Sequence, residues 1–300
     1  MNNQTKGVLL AATTALLWGM LAIGLKVSLN YFDSYTVVWF RFFIATVSLI
    51  SIFSIKKPSF LNVLKKPPRL MLLAGLFLGF NYIGYMQGIK LAGPAATQII
   101  IQTGPIVLGL VGFIIFKEKI NLIRGIGFLI AALGFSVFYF YQISEFGTEK
   151  TEFTKGVAWI LFGALSWVSY AVTNKKLVTQ WHPQQVNLIV FALPVILFLP
   201  MADFSALTSN HEWWIWLLMI ALGINTVVAY GTLAASFKYA EANRISIVIT
   251  LNPIITFIFL EIMMTMNVQW FEIKPVPTMA FAGAALVLLG AILAVGIKRR

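Results

Sequence analysis

Carboxamide, hydroxyl and large aromatic side chains recur at helical spacing inside long apolar stretches, and uncharged groups of this kind bind small solutes rather than break bonds. Gln98, Gln102 and Pro105 stand at i, i+4 and i+7, and Ser246, Thr250 and Pro253 repeat that spacing. Such spacing places each trio on one face of a helix. Proline removes a backbone donor and frees a carbonyl one turn earlier. At membrane depth this is tolerated only where protein or a water-filled cavity satisfies the carbonyl. Asn81, Tyr82 and Tyr85 share a face of one run, and Asn225, Thr226 and Tyr230 lie on another. Thr14 and Trp18 come from a third, and Ser166, Trp167, Tyr170 and Asn174 from a fourth. Brought together, these groups form a chamber with aromatic walls that suits a small, partly apolar, neutral or zwitterionic solute. Arg244, about one turn from Ser246, is placed to meet a substrate carboxylate at the chamber's mouth.

Plainer explanations compete for the same residues. Interhelical hydrogen bonds would account for Gln98, Gln102, Asn174 and Asn225, and simple packing would account for Trp18 and Trp167. Trp213, Trp214, Trp216 and Trp270 fit an interfacial aromatic belt.

Catalysis finds little support. There is no cysteine, and the two histidines, His182 and His211, fall in connections on opposite sides of any membrane arrangement. No His-paired nucleophile or His-rich metal site can assemble from them, so no catalytic residue, metal or cofactor is expected. A channel lacks its usual charged ring or carbonyl filter.

The elements that must position these groups are membrane helices. The chain is 59% hydrophobic and 11% charged, with a mean hydropathy of +0.87, far more apolar than a soluble domain of 300 residues. Ten runs approach the ~20 residues of a bilayer span: about 7–29, 35–55, 70–89, 94–116, 122–142, 156–178, 184–202, 213–237, 242–266 and 275–297. The first is longer than the core of a secretory signal and recurs later in the chain. The net charge of +12 invites a nucleic-acid reading, but its distribution gives a different one. With the N-terminus inside, only Lys26, Lys90, Lys150, Lys155 and Lys274 among the span-flanking cations fall outside. That is the positive-inside bias, so the charge reports orientation and no nucleic-acid partner is expected. The basic, proline-containing loop from Lys56 to Arg69 suits contact with anionic headgroups. Arg41, Arg244 and Glu261 lie inside runs but close enough to their ends to snorkel.

The chain also repeats itself. Gly7, Ala15, Trp18 and Lys26 recur as Gly156, Ala164, Trp167 and Lys175 at a separation of 149 residues. Tyr82, Lys90, Ala92 and Pro105 match Tyr230, Lys238, Ala240 and Pro253 at 148, and Gly127 and Gly134 match Gly283 and Gly290 at 156. Five spans per half make the second half inverted, the architecture of many secondary transporters. The expected fold is therefore all-α integral membrane, with ten transmembrane helices as two inverted five-helix repeats and both termini cytoplasmic. The halves are 1–142 and 156–300, joined by a linker at 143–155. Gly125, Gly127 and Gly134, with their counterparts, are expected to pack helices closely within one chain or across a homodimer.

Set out this way, the chain resembles the EamA-type branch of the drug/metabolite transporter superfamily. The resemblance rests on Ala15-Leu16-Leu17-Trp18-Gly19, Arg41, the stretch from Pro105 to Phe116-Lys117-Glu118-Lys119, Ala242-Asn243-Arg244-Ile245-Ser246, and Asn252-Pro253. It departs at Met266, where the family would place a second Glu, while Glu261 comes five residues early. The resemblance implies a central cavity between the halves, alternating access, and export or exchange of small metabolites, often amino acids, across the cell membrane. It also implies a structural role for Glu118 at a helix end. A carrier for a nucleotide-like or other anionic metabolite is the alternative.

Overall fold

The computed structural model describes residues 3–116, 122–144, 149–240, 245, 248–268, 270–272 and 276–296, and every regular element among them is helical. Glu118, Arg244 and Ser246 lie outside the described residues. The long helices are α1 (Asn3–Ser28), α2 (Ser34–Lys56), α3 (Arg69–Ile100), α4 (Thr103–Phe116), α5 (Leu122–Ser144), α6 (Lys150–Leu177), α7 (Pro183–Phe198), α8 (Trp213–Tyr239), α9 (Asn252–Thr265) and α10 (Thr278–Gly296). Short helical turns lie at 58–65 and 199–208. Seven helices are long and apolar enough to cross a membrane; α4, α9 and α10 are shorter. The protein is a multi-pass membrane protein. Helices dominate because hydrocarbon offers backbone groups no partner, so each segment must satisfy its own.

Capping decides where some helices begin. Asp33 accepts from the backbone N–H groups of Tyr35 and Thr36 at the start of α2, and His182 accepts from Gln184 N–H at the start of α7. Each cap satisfies a donor that the first helical turn leaves open. Asp33 and His182 are 149 residues apart, the separation found for the first motifs of the two halves.

The third and fourth runs part where the sequence expectation divides them, between 89 and 94: α3 is two helical segments joined across a kink at Gly93, with φ 81° and ψ 166°. A side chain would strain that backbone, which glycine adopts freely. Pro105 and Pro253 do not kink continuous helices. They sit in the first turns of α4 and α9, where a missing N–H costs nothing. The chain ahead of each proline tightens into i→i+3 bonds, from Gly104 N–H to Ile101 O (2.9 Å) and from Leu251 N–H to Val248 O (3.2 Å). Both halves thus carry a helix discontinuity at corresponding positions.

Packing follows a regular pairing, α1 with α8, α3 with α6, and α5 with α10. A Cβ on Gly84 of α3 would meet Trp159 O of α6 at 2.7 Å and Gly163 Cα at 2.8 Å. Backbones can approach this closely only over small residues. Gly7 stands against Ala240, and its counterpart Gly156 stands against Ala92, the counterpart of Ala240. Likewise Gly134 meets Val287 and Gly290 meets Ala131. Gly134, Gly283 and Gly290 are therefore used within the chain, whereas Gly125 has open space around it.

Candidate functional site

The helix discontinuities border a cavity of about 80 Å³. Ile101, Gln102 and Pro105 reach it from the first half, and Ile249 and Asn252 from the second. Trp18 and Leu21 of α1, Arg41 of α2, Asn81, Tyr82, Tyr85 and Gln98 of α3, Trp167 of α6 and Tyr230 of α8 complete the wall. Of the residues singled out by sequence, Trp18, Tyr82, Tyr85, Gln98, Gln102, Pro105, Trp167 and Tyr230 line it.

The others lie around it. Tyr170 is buried behind the wall, edge-on to Tyr230 at 5.8 Å between ring centroids. Asn174 is fully buried, one turn further along α6. The Asn225 amide donates to Leu17 O (3.1 Å), tying α8 to α1. Thr250 is fully buried in the turn before α9, and Pro253 starts that helix.

The aromatic wall is built by stacking across elements. Tyr230 stands 5.3 Å from Trp18 and 5.9 Å from its repeat counterpart Tyr82, whose other flank meets Phe42 at 4.3 Å. Edge and tilted contacts at these separations add about 0.5–1.5 kcal/mol each beyond area burial. They hold the rings in place when the site is empty of solute.

A ladder of amide and hydroxyl bonds closes one end. Gln98 Nε2 donates to Trp18 O (2.9 Å) and to Thr256 Oγ1 (3.0 Å), and Thr256 in turn donates to Gly19 O (2.6 Å). Gln102 Nε2 donates to Asn252 Oδ1 at 2.7 Å, joining the two discontinuities directly. Gln98 Oε1 has no hydrogen-bond partner in the protein.

Beyond this ladder lies a second, polar cavity of about 370 Å³ whose wall includes Lys26, Lys90, Gly93, Gln142, Glu149 and Glu272. The two cavities share helices. Asn252 of α9 lines the inner one and Leu260 the outer, with Thr256 between them. Ile23, Ala95, Leu260 and Met263 form an apolar cluster, of which Ala95 and Leu260 line the outer cavity.

Arg41 is the largest departure from the sequence reading. It does not snorkel; it is 3% exposed, its Nη2 donates to Thr226 Oγ1 (3.2 Å), and its guanidinium lies over the Tyr82 ring at 4.5 Å. Tyr82 Oη donates to the same Thr226 oxygen (3.3 Å), and the Thr226 hydroxyl donates in turn to Leu222 O (3.1 Å). Residue spacing measured depth along α2 but not the rotation that turns position 41 inward. Asn81, read on one face with Tyr82 and Tyr85, does line the cavity and donates to Gly163 O (3.0 Å) at the α3–α6 crossing, whereas Asn252 stood out in the sequence only beside Pro253.

Titratable groups outside the spans are modestly perturbed. Partial burial, then the nearby Lys57 and Lys238, lower the His182 pKa below its ordinary value. The Asp203 carboxyl is lowered by hydrogen bonds from the Ser205 side chain and the Ala206 and Ser205 amides. Among the described residues no group of His, Cys, Asp and Glu could hold a metal ion.

Comparison with known proteins agrees with this architecture. The profile of the EamA-like transporter family matches residues 5–140 and again 154–296. A protein of Escherichia coli K12, named "Uncharacterized inner membrane transporter YhbE", is 32% identical over 95% of this chain and 89% of its own. An "Uncharacterized transporter" of Haemophilus influenzae is 31% identical over 97% of this chain and 95% of its own. A solved crystal structure superposes with a TM-score of 0.69, covering 99% of each chain at 20% sequence identity, a likeness of fold alone. With two profile matches that together span nearly its whole length, the chain belongs to the EamA-like transporter family.

Proposed function

We propose that the protein is a secondary carrier that moves small neutral or zwitterionic metabolites, amino acids or related compounds, across the cytoplasmic membrane by alternating access, chiefly outward. The observation that carries this reading is the meeting of two discontinuous helices, one from each half, at a shared cavity. Discontinuous spans at repeat-related positions mark the substrate site in many transporters. The exchanged contacts, Gly7 with Ala240 and Gly156 with Ala92, support two inverted five-helix halves, 1–142 and 156–300, joined at 143–155. Ten spans and the cationic bias then put both termini in the cytoplasm. The name of the Escherichia coli relative supports an inner-membrane location.

Volume supports a moving device. About 80 Å³ accommodates two or three waters at roughly 30 Å³ each, whereas ligand sites usually enclose about 300 Å³ or more. A solute therefore enters only when the helices around the cavity separate. The polar outer cavity, with Lys26 and Glu272, forms the external vestibule in this reading, and the Gln98 ladder is the closed partition. No Asp or Glu among the described residues lines the inner cavity, which favours exchange or solute-borne proton movement over a carboxylate relay.

Replacing Tyr82 or Gln102 by Ala should reduce transport into proteoliposomes while leaving the protein folded. Undiminished transport in both variants would remove the chamber assignment.

A further inference from the structure

We propose that Arg41 is the anion-recognition point of the cavity, and that the transported solute carries a carboxylate which completes the guanidinium's coordination. This rests on the carrier reading and adds the chemical class of its substrate. Thr226, the hydrogen-bond partner of Arg41, is thirteen residues into the 27-residue helix α8. The guanidinium is consequently held near mid-membrane depth rather than at the headgroups. It is buried and lines the cavity. An arginine cannot shed its charge by losing a proton, and a charge taken out of water without a partner is costly.

The protein supplies little to offset that cost. The Thr226 hydroxyl accepts one hydrogen bond from the guanidinium, Arg41 Nε has no partner in the protein, and the Tyr82 ring contributes a cation–π contact. A cation–π contact over one ring compensates a buried cation only in part. Among the described residues no carboxylate lies within ion-pairing distance of Arg41. Charged residues inside spans ordinarily pair with one another or mark a substrate path, and here the second explanation remains. A guanidinium fork matches a carboxylate's two oxygens. Gln98, on the same wall, has an unpartnered Oε1 of the acceptor kind an ammonium requires, so an α-amino acid carries one group suited to each.

The test compares matched probes on purified protein in chloride-free buffer: L-leucine against L-leucinamide, L-phenylalanine against L-phenylalaninamide, and sodium chloride alone. Thermal unfolding and tryptophan emission, which Trp18 and Trp167 report from the cavity wall, are the readouts. The carboxylates should raise the melting temperature and change the emission; the amides and chloride should not. Arg41→Gln should raise half-saturating concentrations at least tenfold, with Arg41→Lys in between. Without solute, Arg41→Gln should melt no lower than the parent, because it removes an uncompensated buried charge. Equal responses to amides and acids, a chloride response matching the acids, or no response to either carboxylate would overturn the inference. Exchange of leucinamide as fast as leucine by the parent protein in proteoliposomes would overturn it while leaving the carrier reading intact.

Discussion

Gln98→Met tests the partition between the two cavities. The substitution keeps the side chain's approximate volume and removes two hydrogen bonds, to Trp18 O and to Thr256 Oγ1. Interhelical side-chain bonds within membranes average about 0.6 kcal/mol each. Two of them stabilise the closed partition by about 1.2 kcal/mol, close to one tenfold step in an equilibrium constant. The Thr256 bond to Gly19 O and the apolar cluster of Ile23, Leu260 and Met263 remain, so closure should be weakened rather than abolished. The chain has no cysteine, which makes a single reporter simple to introduce. Ile101, on the cavity wall, is replaced by Cys, and its reaction with a membrane-impermeant maleimide is timed from the vestibule side. Labelling in the Gln98→Met background should be roughly tenfold faster than in Ile101→Cys alone. An unchanged rate would show that these bonds do not hold the partition closed.

Three further outcomes follow from the packing, the caps and the site. Gly84→Ala should destabilise by about 1–3 kcal/mol in thermal unfolding, because the added methyl meets the α6 backbone, whereas Gly125→Ala, with open space around it, should melt like the parent. His182 caps α7 only while Nδ1 is unprotonated, and its lowered pKa means that the folded state favours the neutral ring. Its contribution is therefore complete above the unfolded value of about 6.5 and is lost as pH falls toward the lower folded value. His182→Asn, a non-titrating cap, should flatten the fall in melting temperature below about pH 6.5; an unaltered slope would assign that fall to other groups. Tyr82→Phe should transport better than Tyr82→Ala, because the ring stacks on Phe42 and Tyr230 while its hydroxyl makes one bond to Thr226; equal loss in both would make the hydroxyl the essential part.

Much of this architecture is legible in the sequence because membrane helices obey few rules. Apolar length marks the runs, and helical spacing placed Tyr82 and Tyr85, or Gln98 and Gln102, on shared faces. The prolines marked the two discontinuities, although a proline at a helix start and one inside a helix look alike in a string of letters. Spacing does not reveal which way a face turns in the bundle. Arg41, close to the start of its run, therefore read as a headgroup contact, and Asn174 and Tyr170, on a polar face, read as cavity lining though both are packed behind the wall. Gly93 falls in the gap between the runs 70–89 and 94–116, although a one-residue reversal of φ itself leaves no trace in hydropathy.

The central claim, a carrier built around the cavity between two halves, is tested most directly by counterflow. Proteoliposomes are loaded with unlabelled amino acids, diluted into buffer without any ion gradient, and followed for entry of labelled ones. A carrier should give transient, saturable and stereoselective accumulation of a subset of them, reduced by Tyr82→Ala. Linear, non-saturating entry that ignores the solute loaded inside would indicate a pore and contradict it.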